Sequence, residues 1–209
     1  MSSNGVTRRT VLTGAGALIA AGATPPAAAA AAVGQLGPAA EVVGEIAQDD
    51  NGLTGYGYVT HLAGVADSAL FDGAMSEAGA RLTFFSTATV TRRFPHGALV
   101  STVGRGGIAF HLAHGADFAN PRSFAAGPVV ASFDARLQNV ASVVAPNQAI
   151  TAVEGELVQR SAPTFRLGSR RHRLGHPGLQ LHLSATGPGM RTNQTPPRAL
   201  FDVAGRLHR

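Results

Sequence analysis

The chain has 209 residues, 44% of them hydrophobic and only 14% charged, with 26 Gly and 12 Pro. So little charge and so much Gly and Pro argue against a coiled coil, a helical bundle or an acidic disordered tail, and the length suits one domain able to bury a core. There is no cysteine, which excludes disulfides, Cys-ligated zinc, thiolate catalysis and a lipidated N-terminal Cys. All 17 basic residues are Arg.

Residues 1–32 read as an export signal, outside the fold. Thr7-Arg8-Arg9-Thr10-Val11-Leu12 follows the twin-arginine pattern, an Arg pair with a hydrophobic residue two places on. A weakly apolar Gly/Ala stretch follows from Gly14 to Ala23, then Pro25, Pro26 and an Ala run to Ala32 that accommodates an Ala-x-Ala cleavage site. The stretch is shorter than the roughly 20 residues that span a bilayer. Twin-arginine signals are addresses read by a receptor rather than anchors. Arg8 and Arg9 are thus expected to engage the twin-arginine translocation machinery. The protein should become secreted or extracytoplasmic, with no stable membrane anchor after processing. A flexible linker, 33–40, then leads to a single domain, 41–209.

Without the leader, 15 Arg stand against 12 acidic residues, a net of +3. The balance is uneven. Residues 33–159 hold 6 Arg and 11 acids, whereas 160–209 hold 9 Arg and only Asp202.

From Glu41 onward the dominant hydrophobic period is two. Leu82, Phe84, Ala88 and Val90 share one face of 81–91, with Thr83, Thr87, Thr89 and Thr91 on the other. Val129, Ala131, Phe133, Ala135 and Leu137 alternate with Ser132, Asp134 and Arg136. Leu179, Leu181, Leu183 and Ala185 alternate with Gln180, His182, Ser184 and Thr186, and a fourth run covers Arg198–Leu207. Such runs predict half-buried antiparallel strands. Weaker strands are expected at 42–48, 56–62, 98–103, 108–113, 150–159 and 165–174. Turns are expected at Asp50-Asn51-Gly52, His96-Gly97, Gly106-Gly107, Asn120-Pro121, Ala145-Pro146-Asn147 and His176-Pro177-Gly178. A helical turn fits only near 67–71 or 76–79. The fold class expected is all-β, a mostly antiparallel barrel of about 8–10 strands with little helix. A sandwich is the alternative, and closure is preferred because it removes exposed edges.

Gly55-Tyr56-Gly57-Tyr58-Val59-Thr60-His61, Leu137-Gln138-Asn139-Val140 and Ala145-Pro146-Asn147-Gln148 resemble segments of twin-arginine-exported actinobacterial proteins of unknown function. More distantly, the order of strands and glycines is similar to the allene oxide cyclase and dirigent barrels. That resemblance implies an eight-stranded barrel that binds apolar small molecules inside and guides cyclisation or coupling. No residue here matches their catalytic residues position by position.

The candidate chemistry is sparse. His111 and His114 lie three apart, on opposite faces of a strand, and His172 and His176 sit in an Arg-rich segment that repels a cation. No metal site and no cofactor is therefore expected. No Gly-x-Ser-x-Gly elbow occurs, and a triple such as Ser101, His111 and Asp134 is available in almost any chain. Glu154 and Glu156, two apart, share a strand face with Cβ atoms roughly 7 Å apart. Turned into a barrel they form an acid/base pair; turned outward they are a solvated face. Tyr56 and Tyr58 share a face, as do Asp134, Arg136 and Gln138, and either set suits a cavity wall or solvent. Arg166, Arg170, Arg171 and Arg173 offer guanidinium forks for anions. Nucleic acid is not expected, because stacking aromatics are missing apart from Phe165.

These readings point first to a secreted barrel that binds a small apolar molecule in its cavity without covalent chemistry, Tyr56, Tyr58, Asp134, Arg136 and Gln138 lining the site. A cavity-based isomerase or cyclase is the second reading, with Glu154, Glu156 or Tyr58 as acid or base. The third is a cell-envelope protein that holds anionic polymers through Arg166, Arg170, Arg171 and Arg173.

Overall fold

A computed structural model describes residues 39–191 and 198–209. The signal segment 1–32 and all but the last two residues of the linker lie outside the described residues. Among the described residues there are ten strands: β1 (Ala40–Gln48), β2 (Gly52–Leu62), β3 (Leu82–His96), β4 (Leu99–Leu112), β5 (Val129–Ala145), β6 (Gln148–Ser161), β7 (Phe165–Leu167), β8 (Arg170–His172), β9 (Gln180–Arg191) and β10 (Ala199–His208). Among the described residues, helix is confined to one turn, α1 (Asp67–Leu70), and a 3-10 helix at Pro121–Ala125.

Eight strands form a closed antiparallel barrel in the order β1-β10-β9-β6-β5-β4-β3-β2, while β7 and β8 make a separate hairpin. Closure comes from β1 and β10, paired in unbroken register from Ala40↔Leu207 to Gln48↔Ala199. The barrel expected from the alternating runs is thus the fold, and no barrel strand is left with an open edge.

The two ends differ. At one, which we call the mouth, the connections are short: residues 49–51, Gly97-Ala98 and Pro146-Asn147. Gly97 (φ 57°) and Asn147 (φ 60°) supply the positive φ that two-residue hairpins require. The other end, the base, carries the segments 63–81, 113–128 and 162–179. Alternation puts Val42, Phe84, Phe110, Phe133, Leu137 and Leu157 in a continuous apolar core inside the wall. Phe110 meets Phe133 edge-on at 5.9 Å. Phe165 and Leu167 of the β7–β8 hairpin join that core, with Leu174 packed against it. They close the base. Gln159, 1% exposed, fastens the same segment: its amide donates to Ser161 O and Leu174 O and accepts from the His176 amide.

Two expected boundaries are corrected. The turn expected at Gly106-Gly107 is strand interior, and the strands expected at 98–103 and 108–113 are one continuous β4. Its glycines serve close packing instead. A Cβ on Gly106 would strike the backbone of Thr87 and Ala88, and one on Gly104 would lie 2.9 Å from Leu53 Cδ1. The single strand expected at 165–174 is a hairpin turning at Gly168 (φ 59°). The helical turn does form at the first of its two expected places.

Gly44 and Gly57 face each other across β1 and β2, and the Phe84 ring covers the notch they leave. A Cβ on either glycine would come within 2.8 Å of that ring and would also run into a carbonyl of the neighbouring strand. Backbone cannot yield as a side chain tip can. Gly57→Ala is therefore expected to lower unfolding stability by about 1–3 kcal/mol, read as a lower urea midpoint. Gly97→Asn, at an open turn with nothing near its Cβ position, should change it by less than about 0.5 kcal/mol.

Candidate functional site

The inward positions of β6 are Thr151, Val153, Gly155, Leu157 and Gln159, all buried. Glu154 and Glu156 therefore project outward. Of the two readings of this pair, the strand takes the solvated face. Glu156 Oε2 lies 3.4 Å from Arg136 Nη1, while Glu154 Oε2 lies 2.7 Å from His182 Nε2 and its Oε1 accepts from Ser184 Oγ at 3.2 Å. Asp134, Arg136 and Gln138 of β5 are exposed on the same outer surface. Arg160 Nε donates to Asp134 Oδ2 at 2.6 Å and holds that carboxyl below its usual range, and Gln138 Nε2 donates to Ser101 Oγ at 3.1 Å. These polar faces form cross-strand ladders facing solvent, not cavity walls.

Tyr56 and Tyr58 also sit outside the wall of β2, beneath the 113–128 segment. The Tyr56 ring lies 5.6 Å from Phe124 and 6.1 Å from Phe118, and Tyr58 lies 6.1 Å from Phe71. The Thr83 hydroxyl donates to Phe124 O at 2.6 Å and clamps the segment down. The Tyr56 hydroxyl donates to Glu45 Oε2 at 2.7 Å. Burial, reinforced by that carboxylate, pushes the Tyr56 phenol well above its ordinary value; burial, with Glu77, raises Tyr58 as well.

The remaining sequence candidates disperse. Ser101 and His111 are ten residues apart on β4, about 33 Å by strand rise, so they cannot join Asp134 in one triad. A ring nitrogen of His111 contacts Gly127 O at 2.9 Å, and His114 is exposed on the loop beyond. Arg166, Arg170 and Arg171 are exposed on the β7–β8 hairpin, whereas Arg173 Nε donates to Ala162 O at 2.9 Å.

The enclosed space within the apolar core is about 50 Å³. That suffices for a few waters but falls far short of the roughly 300–1,000 Å³ of ligand pockets. A recess at the base, about 190 Å³, is overlain by Leu174, Gly175 and Leu179. The larger volume of about 520 Å³ on the outer wall follows the open surface between outward side chains of β1, β9 and β10. The mouth is different. There the strand ends surround a cup of about 330 Å³ with walls from Pro95, Val100, Ala141, Val143, Ala149 and Phe201. Its size and mostly apolar walls fit the usual form of a small-molecule site.

The floor of this cup is polar. Gln48 Nε2 donates to Thr102 Oγ1 at 3.1 Å, Asn139 Nδ2 donates to Gln48 Oε1 at 2.8 Å, and Thr151 Oγ1 donates to Asn139 Oδ1. All four side chains are at least nine-tenths buried, and they come from β1, β4, β5 and β6. Gln48 alone of the four lines the cup. Its Nε2 carries two hydrogens, one of them given to Thr102. At the rim, Arg93 Nη1 meets Asp50 Oδ1 at 2.7 Å and Nη2 donates to Asp49 O at 3.3 Å. Asp49 Oδ1 accepts the amides of Asn51 and Gly52, each at 2.8 Å, which holds its carboxyl below the usual range. Arg191 and Arg198 complete the rim. None of these residues is among the functional candidates read from the sequence, although Asp50-Asn51-Gly52 is an expected turn and Asn139 lies in a segment quoted for the resemblance. The available signal was polar residues at inward parity, Asn139 after the Val129–Leu137 run and Thr151 before Val153.

No family model matches the chain, and neither the curated proteins nor the solved structures compared with it include a significant match. Function must therefore be read from the site itself.

The two tyrosines make one feature measurable, since the chain contains no Trp. A phenol raised in the folded state contributes stability that is intact below the unfolded value near 10 and is lost as pH rises through the folded value. In an alkaline absorbance titration, tyrosinate should appear only above the ordinary phenol range. Tyr56→Phe should remove the higher of the two steps.

Proposed function

We propose that the protein is an exported, non-catalytic β-barrel that binds a small molecule with a largely apolar body, and that the ligand sits in the cup at the mouth. The observation that carries this reading is the contrast between an almost filled interior, about 50 Å³, and a walled cup of about 330 Å³ with a hydrogen-bonding floor. Apolar walls supply binding energy in proportion to the area they remove from water. The Gln48 amide and the rim Arg residues give the polar end of a ligand something to orient against. The twin-arginine pattern at Arg8 and Arg9 supports export.

The isomerase or cyclase reading loses its candidate groups. Glu154 and Glu156 face solvent, and Tyr58 is packed under Phe71 and Phe118. A polyanion-binding role keeps one specific support: on the β7–β8 hairpin Arg166 is the direct partner of Arg171. Like charges directly opposite are unfavourable, and an anion between them reverses the sign.

Anilinonaphthalene sulfonate, with an aromatic body and one anionic group, is a suitable probe of the cup. It should bind the full chain saturably at one site. Val143→Trp, which adds bulk to an exposed position of the cup wall, should weaken that binding at least about tenfold, the equivalent of about 1.4 kcal/mol, and leave the thermal midpoint nearly unchanged. Equal binding by wild type and Val143→Trp would place the probe elsewhere and refute the cup. For the hairpin, Arg166→Ala with Arg171→Ala should reduce retention on polyphosphate and flatten its salt dependence.

A further inference from the structure

Large apolar side chains are exposed unevenly over the barrel. Among the described residues, Phe94 (55%), Leu99 (43%), Val144 (58%), Ile150 (53%) and Met190 (66%), together with Val143 of the cup wall, belong to the mouth ends of β3, β4, β5, β6 and β9, whereas Met75, Val129 and Val158 are exposed elsewhere. These five strands are consecutive neighbours in the wall. Arg93, Pro95, Val100, Ala149 and Arg191 line the cup, as does Met190, whereas the alternating residues Phe94, Leu99 and Ile150 lie outside its lining, on the outer side of the rim. Together they form an apolar arc around more than half of the mouth, beyond the polar floor layer.

The mouth ends of the five strands that form this arc carry basic residues and no acidic ones. Neither 82–112, nor 135–153, nor 180–191 contains an Asp or Glu. Arg92, Arg191 and Arg198 accompany the apolar residues, and His96 lies at a hairpin tip. Arg93 is occupied by Asp50. The acids of this end belong to other strands: Asp49 and Asp50 stand on the β1–β2 turn, where Asp50 reaches Arg93 at 2.7 Å, and Glu45 and Asp202 lie lower on β1 and β10. The tips are also tied together through their backbones: the Val143 amide donates to Ala98 O at 2.8 Å and the Arg191 amide to Asn147 O at 2.9 Å. Pro95 and Pro146 carry no amide hydrogen to satisfy. Each of these features leaves one backbone donor fewer to be satisfied where the tips enter a medium of low polarity.

We infer that this arc is a docking edge for an anionic lipid surface. The exposed apolar side chains enter the boundary between headgroups and acyl chains, and Arg92 and Arg191 meet lipid phosphates. A second copy of the chain fits less well. A twofold contact through the arc sets the Arg side chains of each copy against those of the other, and Asp50, the acid at the arc's edge, is already paired with Arg93. The inference shares Met190 and Arg191 with the cup, but it is read out at Phe94, Val144 and Ile150, which line no part of it.

Flotation of the full chain with vesicles tests it. The protein should float with vesicles of phosphatidylcholine and phosphatidylglycerol in equal parts, less with phosphatidylcholine alone, and less again at high salt. Phe94→Asp and Ile150→Asp, both at exposed positions, should each lower the bound fraction about tenfold, as expected for one large side chain kept out of the bilayer, while the far-ultraviolet spectrum is retained. Because the chain has no Trp, Val144→Trp introduces a single indole; its emission should shift to the blue and be quenched by lipids brominated on the acyl chain. Attachment through the leader alone leaves that indole unquenched and the Asp variants bound, which would overturn the inference. A stable dimer dispersed by Phe94→Asp would overturn it too, by assigning the arc to a second copy.

Discussion

Closure of the sheet by β1 and β10 is the constraint on which the rest of the structure depends. The nine paired positions between Ala40↔Leu207 and Gln48↔Ala199 join the two ends of the folded chain without a disulfide. Once the sheet closes, every strand has one face toward a shared axis and one toward solvent, and parity alone decides which. The interior radius is then fixed by strand number. Side chains must fit the space available, and this accounts for the mixture of Phe and Gly at inward positions. Phe84 lies over the Gly44–Gly57 pair, while Gly155 makes room for Leu137 and Leu183. The result is an interior too full to hold a ligand.

The hydrogen-bonded layer of Gln48, Thr102, Asn139 and Thr151 divides this apolar interior from the cup. Neutral polar groups in such a place cost stability unless each finds a partner. Among the described residues no buried side-chain polar atom lacks one. A layer of Leu or Val would have served the core equally well. Its polarity makes sense only toward the mouth, where the Gln48 amide faces open space. Fold and recognition meet at this one level of the barrel.

The strands were legible because alternation is a local property. The Val129–Leu137 and Leu179–Ala185 runs needed no knowledge of the rest of the chain. What failed to show was long-range. Gly104-Arg105-Gly106-Gly107 looks like a turn because glycine clusters often are, and only the backbone of Thr87 and Ala88 across the sheet reveals a packing role. Asp134, Arg136, Glu154 and Glu156 were correctly grouped by face, yet the choice between cavity and solvent depended on which face the core claimed. The apolar partners Ala135, Leu137, Val153 and Leu157 claim the inside. The cup was hidden for a simpler reason: Gln48, Thr102 and Asn139 lie 54 and 37 residues apart in sequence, and no spacing rule links them.

The ends of the barrel divide the remaining labour. At the base, long connections carry the closing elements: Phe165, Leu167 and Leu174 shut the interior, and Tyr56, Tyr58, Phe118 and Phe124 bind the 113–128 segment to the outer wall. The turns described at the mouth are two or three residues long and cover nothing, so the strand ends themselves form walls, rim and outer edge. An up-and-down barrel can hold one end open only if the other is fastened, because apolar core exposed at both ends would leave too little area buried for a chain without disulfides. The asymmetry of loop length is thus tied to the position of the cup: a ligand site at the base would have to displace the elements that hold the barrel shut, whereas one at the mouth leaves the core intact.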